Sequence, residues 1–266
     1  MSMIGKEVRL GRIFNQKSKN VVMVAMDHAV AIGPVNGITN PYETVKNLSA
    51  AKPDTFFMPI GIIKKVYPEF IKNDIPFIAS ITTATRMGPE PDYVFPADTV
   101  EHALNIGASG VSLHVFIGPP KTSDMIRELG RVSVKCDELG MPLLAIMYPM
   151  GFNNNYDIKH VKWAARIGAE MGADVVKTYY TGSKDSFREV VESCPVPVLL
   201  SGGALTEDPK DFLIGLKHSM DAGAHGCAVG RNLWQYKNPQ AMLKAIKTIV
   251  HEGSSIEQAL KVLNQK

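Results

Sequence analysis

Cysteine is scarce in this chain of 266 residues, which has three: Cys136, Cys194 and Cys227. They are odd in number, widely spaced and never in a C-x-x-C arrangement. That excludes a disulfide framework and a thiolate zinc site, and it suits a reducing compartment. Neither sign of charge dominates. Lysine and arginine number 29 against 26 aspartates and glutamates, a surplus of +3 that predicts no nucleic-acid partner while leaving room for a local anion site. No run of 18 apolar residues occurs, and Met1 to Asn20 is polar and basic, so neither a membrane span nor a secretory leader is expected; a cytoplasmic location is. Two glycine signatures are also missing. The first apolar run enters Met26-Asp27-His28-Ala29 instead of G-x-G-x-x-G, and no G-x-x-x-x-G-K-S/T occurs, which argues against dinucleotide and nucleotide cradles.

The chain does have ample apolar material. Hydrophobic residues make up 45% and charged residues 21%, with mean hydropathy near zero, which suits a soluble globule with a sizeable core. Short β-branched runs predict eight strands: Val21 to Met26, Thr55 to Pro59, Pro76 to Ser80, Gly110 to Val115, Pro142 to Tyr148, Asp174 to Tyr179, Val196 to Gly202 and His225 to Gly230. Helical spacing lies between them, over 41–51, 62–72, 98–107, 122–139, 158–171, 185–192, 208–222 and 239–251. The segments NIGASGVSLHV, EMGADVVKTY and DAGAHGCAVG repeat one event, a helix that ends at glycine and enters a strand. One βα step takes roughly 30 residues, and eight such steps fill about 250. The expectation is therefore α/β: a single-domain (β/α)8 TIM barrel over residues 1–266. It includes an N-terminal extension at 1–20 and a capping helix at about 255–263, opened by a capping box of Ser254 and Glu257.

A barrel gathers its chemistry at the C-terminal ends of its strands. Here those ends carry Asp27 and His28, His114, Tyr148, Lys177, Ser201 to Gly203, and Gly230-Arg231-Asn232. Lys177, inside DVVKTYY, must send its amine into the barrel mouth, where desolvation and a neighbouring cation such as Arg231 favour the free base. A free amine can attack a carbonyl; the plainer reading is a lysine that reaches solvent or pairs with Asp27. Tyr148 suits proton transfer and Asp27 suits orientation of hydroxyls; the plainer readings are an aromatic packed on the rim for Tyr148 and a loop cap or structural ion pair for Asp27. Ser201, Gly202, Gly203, Gly230 and Arg231 form two adjacent loops able to hold a phosphate through backbone amides and a guanidinium. His28 and His114 lack a third ligand at metal-binding spacing, so they are read as groups that position substrate, and no metal or other cofactor is expected. An isomerase using Asp27 or His28 as base, with Lys177 as electrostatic support, remains the alternative.

The segments MDHAV, VSLHV, MYPMG, VVKTYYTG, LLSGG and AVGRN resemble the class I, Schiff-base-forming aldolases of the archaeal and bacterial fructose-bisphosphate aldolase type, over nearly the whole chain. The 2-amino-3,7-dideoxy-D-threo-hept-6-ulosonate synthase branch, which serves aromatic amino acid biosynthesis, is the nearest in appearance. The resemblance implies that Lys177 forms the Schiff base, Tyr148 shuttles the proton, Asp27 assists, and the SGG and GRN loops hold the phosphate of a ketose. It also implies an aldehyde acceptor such as aspartate semialdehyde in the synthase branch, and a homo-oligomer, often a decamer of two five-membered rings. One departure stands out. The family's tyrosine loop reads YPRG, whereas this chain has Tyr148-Pro149-Met150-Gly151, which removes a fixed charge and five donors from that part of the rim.

Overall fold

The computed structural model describes residues 3–265. Eight parallel strands close into a barrel: β1 Val21–Ala25, β2 Thr55–Pro59, β3 Phe77–Ser80, β4 Gly110–Ile117, β5 Leu143–Pro149, β6 Val175–Thr178, β7 Val198–Ser201 and β8 Gly226–Val229. Each pairs with the next, and β1 closes on β8 with Val21 opposite Gly226. All eight expected strands are present, each within about two residues of its expected ends.

The period of two along each strand sorts residues into two cores. Val21, Met23 and Ala25 of β1 join Phe57, Ile78, Leu144, Ile146, Val175, Leu199 and Ala228 inside the barrel, while Val22 and Val24 face the helices with Phe56 and Met58. That is why the strand sequences read as unbroken apolar runs: both faces are buried. The same alternation determines which polar residues enter the mouth. On β6, Val175 lies in the inner core and Val176 in the outer one, so Lys177 points inward. On β5 the inward set is Leu144, Ile146 and Tyr148.

The chain ends carry two further features, one of which shifts an expected residue pair. The N-terminal extension contains a helix, Met3–Ile13, and Leu10, Ile13 and Phe14 pack against the inner core at the end of the barrel opposite the strand C-termini. Its apolar residues are interspersed with charged ones, so they form no run; Leu10, Ile13 and Phe14 share the packed face, while Ile4 and Val8 are exposed. The final helix spans Ile256–Asn264, and its capping box is Ser255 with Gln258, one residue later than Ser254 with Glu257. The serine whose backbone is extended takes the cap, since a cap residue must leave the helical region. No described helix is long and apolar enough to cross a membrane.

Three small elements at the mouth were not expected. Ala29–Ile32 and Arg231–Trp234 are single helical turns after β1 and β8, and Thr82–Thr83 pairs antiparallel with Phe95–Pro96. All three shape the site described next.

Candidate active site

The mouth opens into a cavity of about 230 Å³ whose lining includes every residue named from the strand ends except Asn232. Lys177 stands at its floor, 4% exposed. Its Nζ crosses to the far wall, 4.8 Å from the ring centroid of Phe57 on β2 and 5.9 Å from that of Tyr148. In an eight-strand ring β2 lies four strands from β6, so the amine sits near the barrel axis. Among the described residues no carboxylate forms an ion pair with it. Burial is the main cause pushing the Lys177 amine down to about 8; Asp27 and Cys227 oppose the shift, and Arg231 adds to it.

Asp27, at the end of β1, is clasped by two imidazoles. His28 Nδ1 lies 3.4 Å from Oδ1, and His114 Nε2 lies 3.4 Å from Oδ2. Burial disfavours the carboxylate, but His114, His28 and Lys177 together outweigh it and keep the carboxyl below its usual range. Both imidazoles are buried, which holds His28 below its ordinary value and His114 at about 4, so both are neutral at physiological pH. His114 is further placed by Thr82, whose Oγ1 accepts from the His114 backbone N–H at 3.0 Å and lies 3.3 Å from Nδ1. The two histidines thus flank Asp27, and His28 also packs beside Gly230. Among the described residues no group of three or more His, Cys, Asp or Glu side chains gathers to hold a metal ion.

Tyr148 stacks face to face on Tyr179, with centroids 4.1 Å apart and planes 5° from parallel, and its hydroxyl shares a 2.7 Å hydrogen bond with Ser201 Oγ. Burial pushes the phenol above its ordinary value, so it keeps its proton until a base receives it.

The paired loops after β7 and β8 lie side by side, with one change to the expected donor set. The Gly202 N–H is bonded to Ala228 O at 3.1 Å, extending the β7–β8 ladder, and so is not free for a ligand. A Cβ there would crowd Val229, 3.0 Å from its Cγ2 and 3.1 Å from its Cα, so a larger residue would have to push Val229 aside by a few tenths of an ångström. Gly203 has φ +69, where side chains are strained, and a Cβ on Gly230 would fall 2.5 Å from His28 Cε1. Among the described residues the N–H groups of Gly203, Gly230 and Arg231 meet no protein acceptor. Arg231 Nε, Asp27 Oδ2, His28 Nδ1 and Ser80 Oγ are buried without a well-aligned hydrogen bond, although such orphans ordinarily cost about 1–3 kcal/mol each. Four of the eight such atoms among the described residues line this one mouth, where a polar ligand can complete them.

The sequence placed Asn232 in the GRN loop but not as the clamp behind these loops. Asn232, 2% exposed, donates through Nδ2 to Gly202 O and Ala204 O, both at 2.7 Å, and accepts through Oδ1 from Thr206 N–H at 2.9 Å and Thr206 Oγ1 at 3.0 Å. Sequence reasoning missed Thr82, Tyr179 and Arg86. Tyr179 lies two residues beyond Lys177 in KTYY, the one local signal that could have found it.

Comparison with known proteins fits this geometry. The curated 2-amino-3,7-dideoxy-D-threo-hept-6-ulosonate synthase of Halobacterium salinarum is 34% identical over 261 residues, covering 98% of this chain and 97% of that protein. Synthase 1 of the same name from Archaeoglobus fulgidus is 33% identical over 259 residues, covering 97% and 96%. The crystal structure of an archaeal fructose 1,6-bisphosphate aldolase superposes with a TM-score of 0.86 at 30% identity, covering 94% of this chain and all of the other. A further archaeal aldolase structure, with its catalytic lysine covalently bound to the carbinolamine intermediate, gives a TM-score of 0.84 at 30% identity over 93% of this chain and 99% of the other. Residues 21–236 match the DeoC/LacD family of aldolases, and this chain belongs to that family as an enzyme of the class I, Schiff-base-forming type.

Proposed function

We propose that this enzyme cleaves a 1-phosphorylated ketose through Lys177 and passes the retained fragment to an anionic aldehyde, aspartate semialdehyde in the first instance. The observation that carries the reading is the Lys177 amine itself: buried near the barrel axis, without a carboxylate partner, and held at about 8 by desolvation. The names of the relatives support the substrate class, since they comprise heptulosonate synthases and fructose 1,6-bisphosphate aldolases.

The steps follow from the positions. The neutral amine attacks the C2 carbonyl, and the carbinolamine loses water to give a protonated Schiff base. That cation withdraws electrons from the C3–C4 bond, which breaks as the C4 hydroxyl gives up its proton; the aldehyde leaves and an enamine stays on Lys177. Tyr148 carries protons at the carbinolamine and the C4 oxygen, oriented by Ser201. Asp27, held by His28 and His114, orients the hydroxyls beside the amine. Gly203, Gly230 and Arg231 hold the phosphate through their N–H groups and the guanidinium. The enamine then attacks the acceptor carbonyl, and hydrolysis releases the new ketose and the free lysine.

Borohydride tests the chemistry. Reduction in the presence of a ketose 1-phosphate is expected to leave the phosphorylated fragment attached to Lys177, located by peptide mass spectrometry. Turnover without that adduct would instead favour a non-covalent isomerase. Adding aspartate semialdehyde to the donor distinguishes transfer, which gives a longer product, from simple cleavage, which gives none.

A further inference from the structure

The mouth holds a cation that the chemistry at Lys177 does not use. Arg86 stands on the loop after β3 and lines the same cavity as Lys177 and Arg231. The loop is tied down over the mouth by the Thr82–Thr83 and Phe95–Pro96 pairing and by the Arg86 N–H, which donates to Ala31 O at 3.0 Å. The side chain is exposed, and among the described residues it makes no ion pair. The cavity lining carries the three cations Arg86, Lys177 and Arg231 against the carboxylates of Asp27 and Asp92.

The ring order gives this position its meaning. β3 lies four strands from β7, directly across the barrel, and the loops after β7 and β8 carry the free amides of Gly203, Gly230 and Arg231. Lys177 Nζ lies between the two sides, near the axis, against Phe57. A ligand with a phosphate on the β7–β8 side and a carbonyl over Nζ must therefore send its other end toward β3. The rim after β5 offers no charge there, because it presents Met150 to the cavity. Of the cations lining the cavity, Arg86 is the one that remains on that side, with Asp92 on the same loop.

We propose that Arg86 receives a second anionic group, a phosphate or a carboxylate, at the end of the substrate opposite the phosphate held by the β7–β8 loops. It thereby selects doubly anionic ligands over singly anionic ones. The inference rests on the ketose-phosphate reading above.

Its test is kept independent of turnover. Binding is measured by calorimetry in a Lys177→Met background with three probes: fructose 1,6-bisphosphate, its C6-carboxylate counterpart, and fructose 1-phosphate. The expected result is a preference for one or both doubly anionic probes over fructose 1-phosphate. Arg86→Leu should cut that preference by roughly tenfold to a hundredfold, the loss of one charge-assisted contact, while Arg86→Lys retains part of it. Raising salt from about 0.05 to about 0.5 M weakens the preference in the Arg86 protein and leaves the Leu variant nearly flat. The stronger of the two doubly anionic probes identifies phosphate or carboxylate as the group received. Absence of any preference, or the same preference in Arg86→Leu, overturns the assignment. Borohydride trapping of the enzyme with native Lys177 is scored separately: a missing adduct counts against the Schiff-base reading and leaves the Arg86 result to stand or fall by binding.

Discussion

Tyr148 Oη and Ser201 Oγ lie 2.7 Å apart, and their hydrogen bond joins β5 to β7 across the top of β6, where Lys177 stands. Ser201 was nominated for the phosphate; its hydroxyl also meets the tyrosine, and with one donor and two acceptor sites it has capacity for both. Tyr148→Phe keeps the ring stack and removes the proton carrier, so kcat should fall by about 10²–10⁴-fold while the borohydride adduct on Lys177 still forms. Ser201→Ala leaves the phenol in place without its guide and should cost about tenfold. Steady-state rates beside adduct yield decide this: a Tyr148→Phe enzyme that turns over normally would remove tyrosine from the mechanism.

The amine of Lys177 attacks only as the free base, and its value of about 8 sets where that form appears. Below that pH it is protonated and inert; above it the free amine saturates. Adduct formation should therefore rise with pH and level off around a midpoint near 8, well below the 10.5 of an ordinary lysine. Arg231→Leu removes one cation that favours the neutral form, so the midpoint should move upward. Rapid borohydride quenching across the pH range measures both midpoints, and a wild-type midpoint near 10.5 would contradict the placement of the amine.

The same displacement has a consequence for stability. With the folded value below the unfolded one, the unfolded chain binds more protons between roughly pH 8 and 10.4, so this group's contribution to stability rises with pH through that window. At pH 7 the fold carries the full cost of holding a desolvated ammonium. Lys177→Met removes that cost at similar volume and should raise stability at pH 7 by roughly 1–3 kcal/mol, with the gain shrinking toward pH 10. Thermal unfolding of both proteins at the two pH values checks it. A variant less stable than the parent at pH 7 would show that other contacts of the lysine outweigh its desolvation.

The barrel and the positions of its polar strand ends were legible because each depends on one strand's own sequence. Short apolar runs separated by helical spacing give the count of eight, and inward alternation then assigns Tyr148 and Lys177 without further information. What was not legible depends on contacts between distant segments. That Gly202 spends its N–H on Ala228 follows from the register of β7 against β8, and that Arg86 reaches the mouth follows from two residue pairs, Thr82 with Pro96 and Thr83 with Phe95, 14 and 12 positions apart in the chain. The helix Met3–Ile13 was missed for a different reason: its few apolar residues seal the base of the barrel, a role visible only once the barrel has closed.

Asn232 satisfies four polar groups at once and so fixes the shape of the loop that presents Gly203. Asn232→Leu is close in volume but leaves the carbonyls of Gly202 and Ala204 and the N–H of Thr206 without their partner. Stability should drop by about 1–3 kcal/mol, and KM for a ketose 1-phosphate should rise as the amides of the loop lose their alignment. The chemical step on Lys177 lies on a separate strand, so the rate of adduct formation at saturating substrate should change far less than KM. Asn232→Asp keeps the acceptor for Thr206 but turns a carboxylate toward two carbonyls, and should be at least as damaging as leucine. Thermal melts together with KM and single-turnover trapping separate the roles: loss of stability with an unchanged KM would make Asn232 a structural tie alone, whereas a raised KM at a nearly constant trapping rate marks it as the residue that positions the phosphate loop.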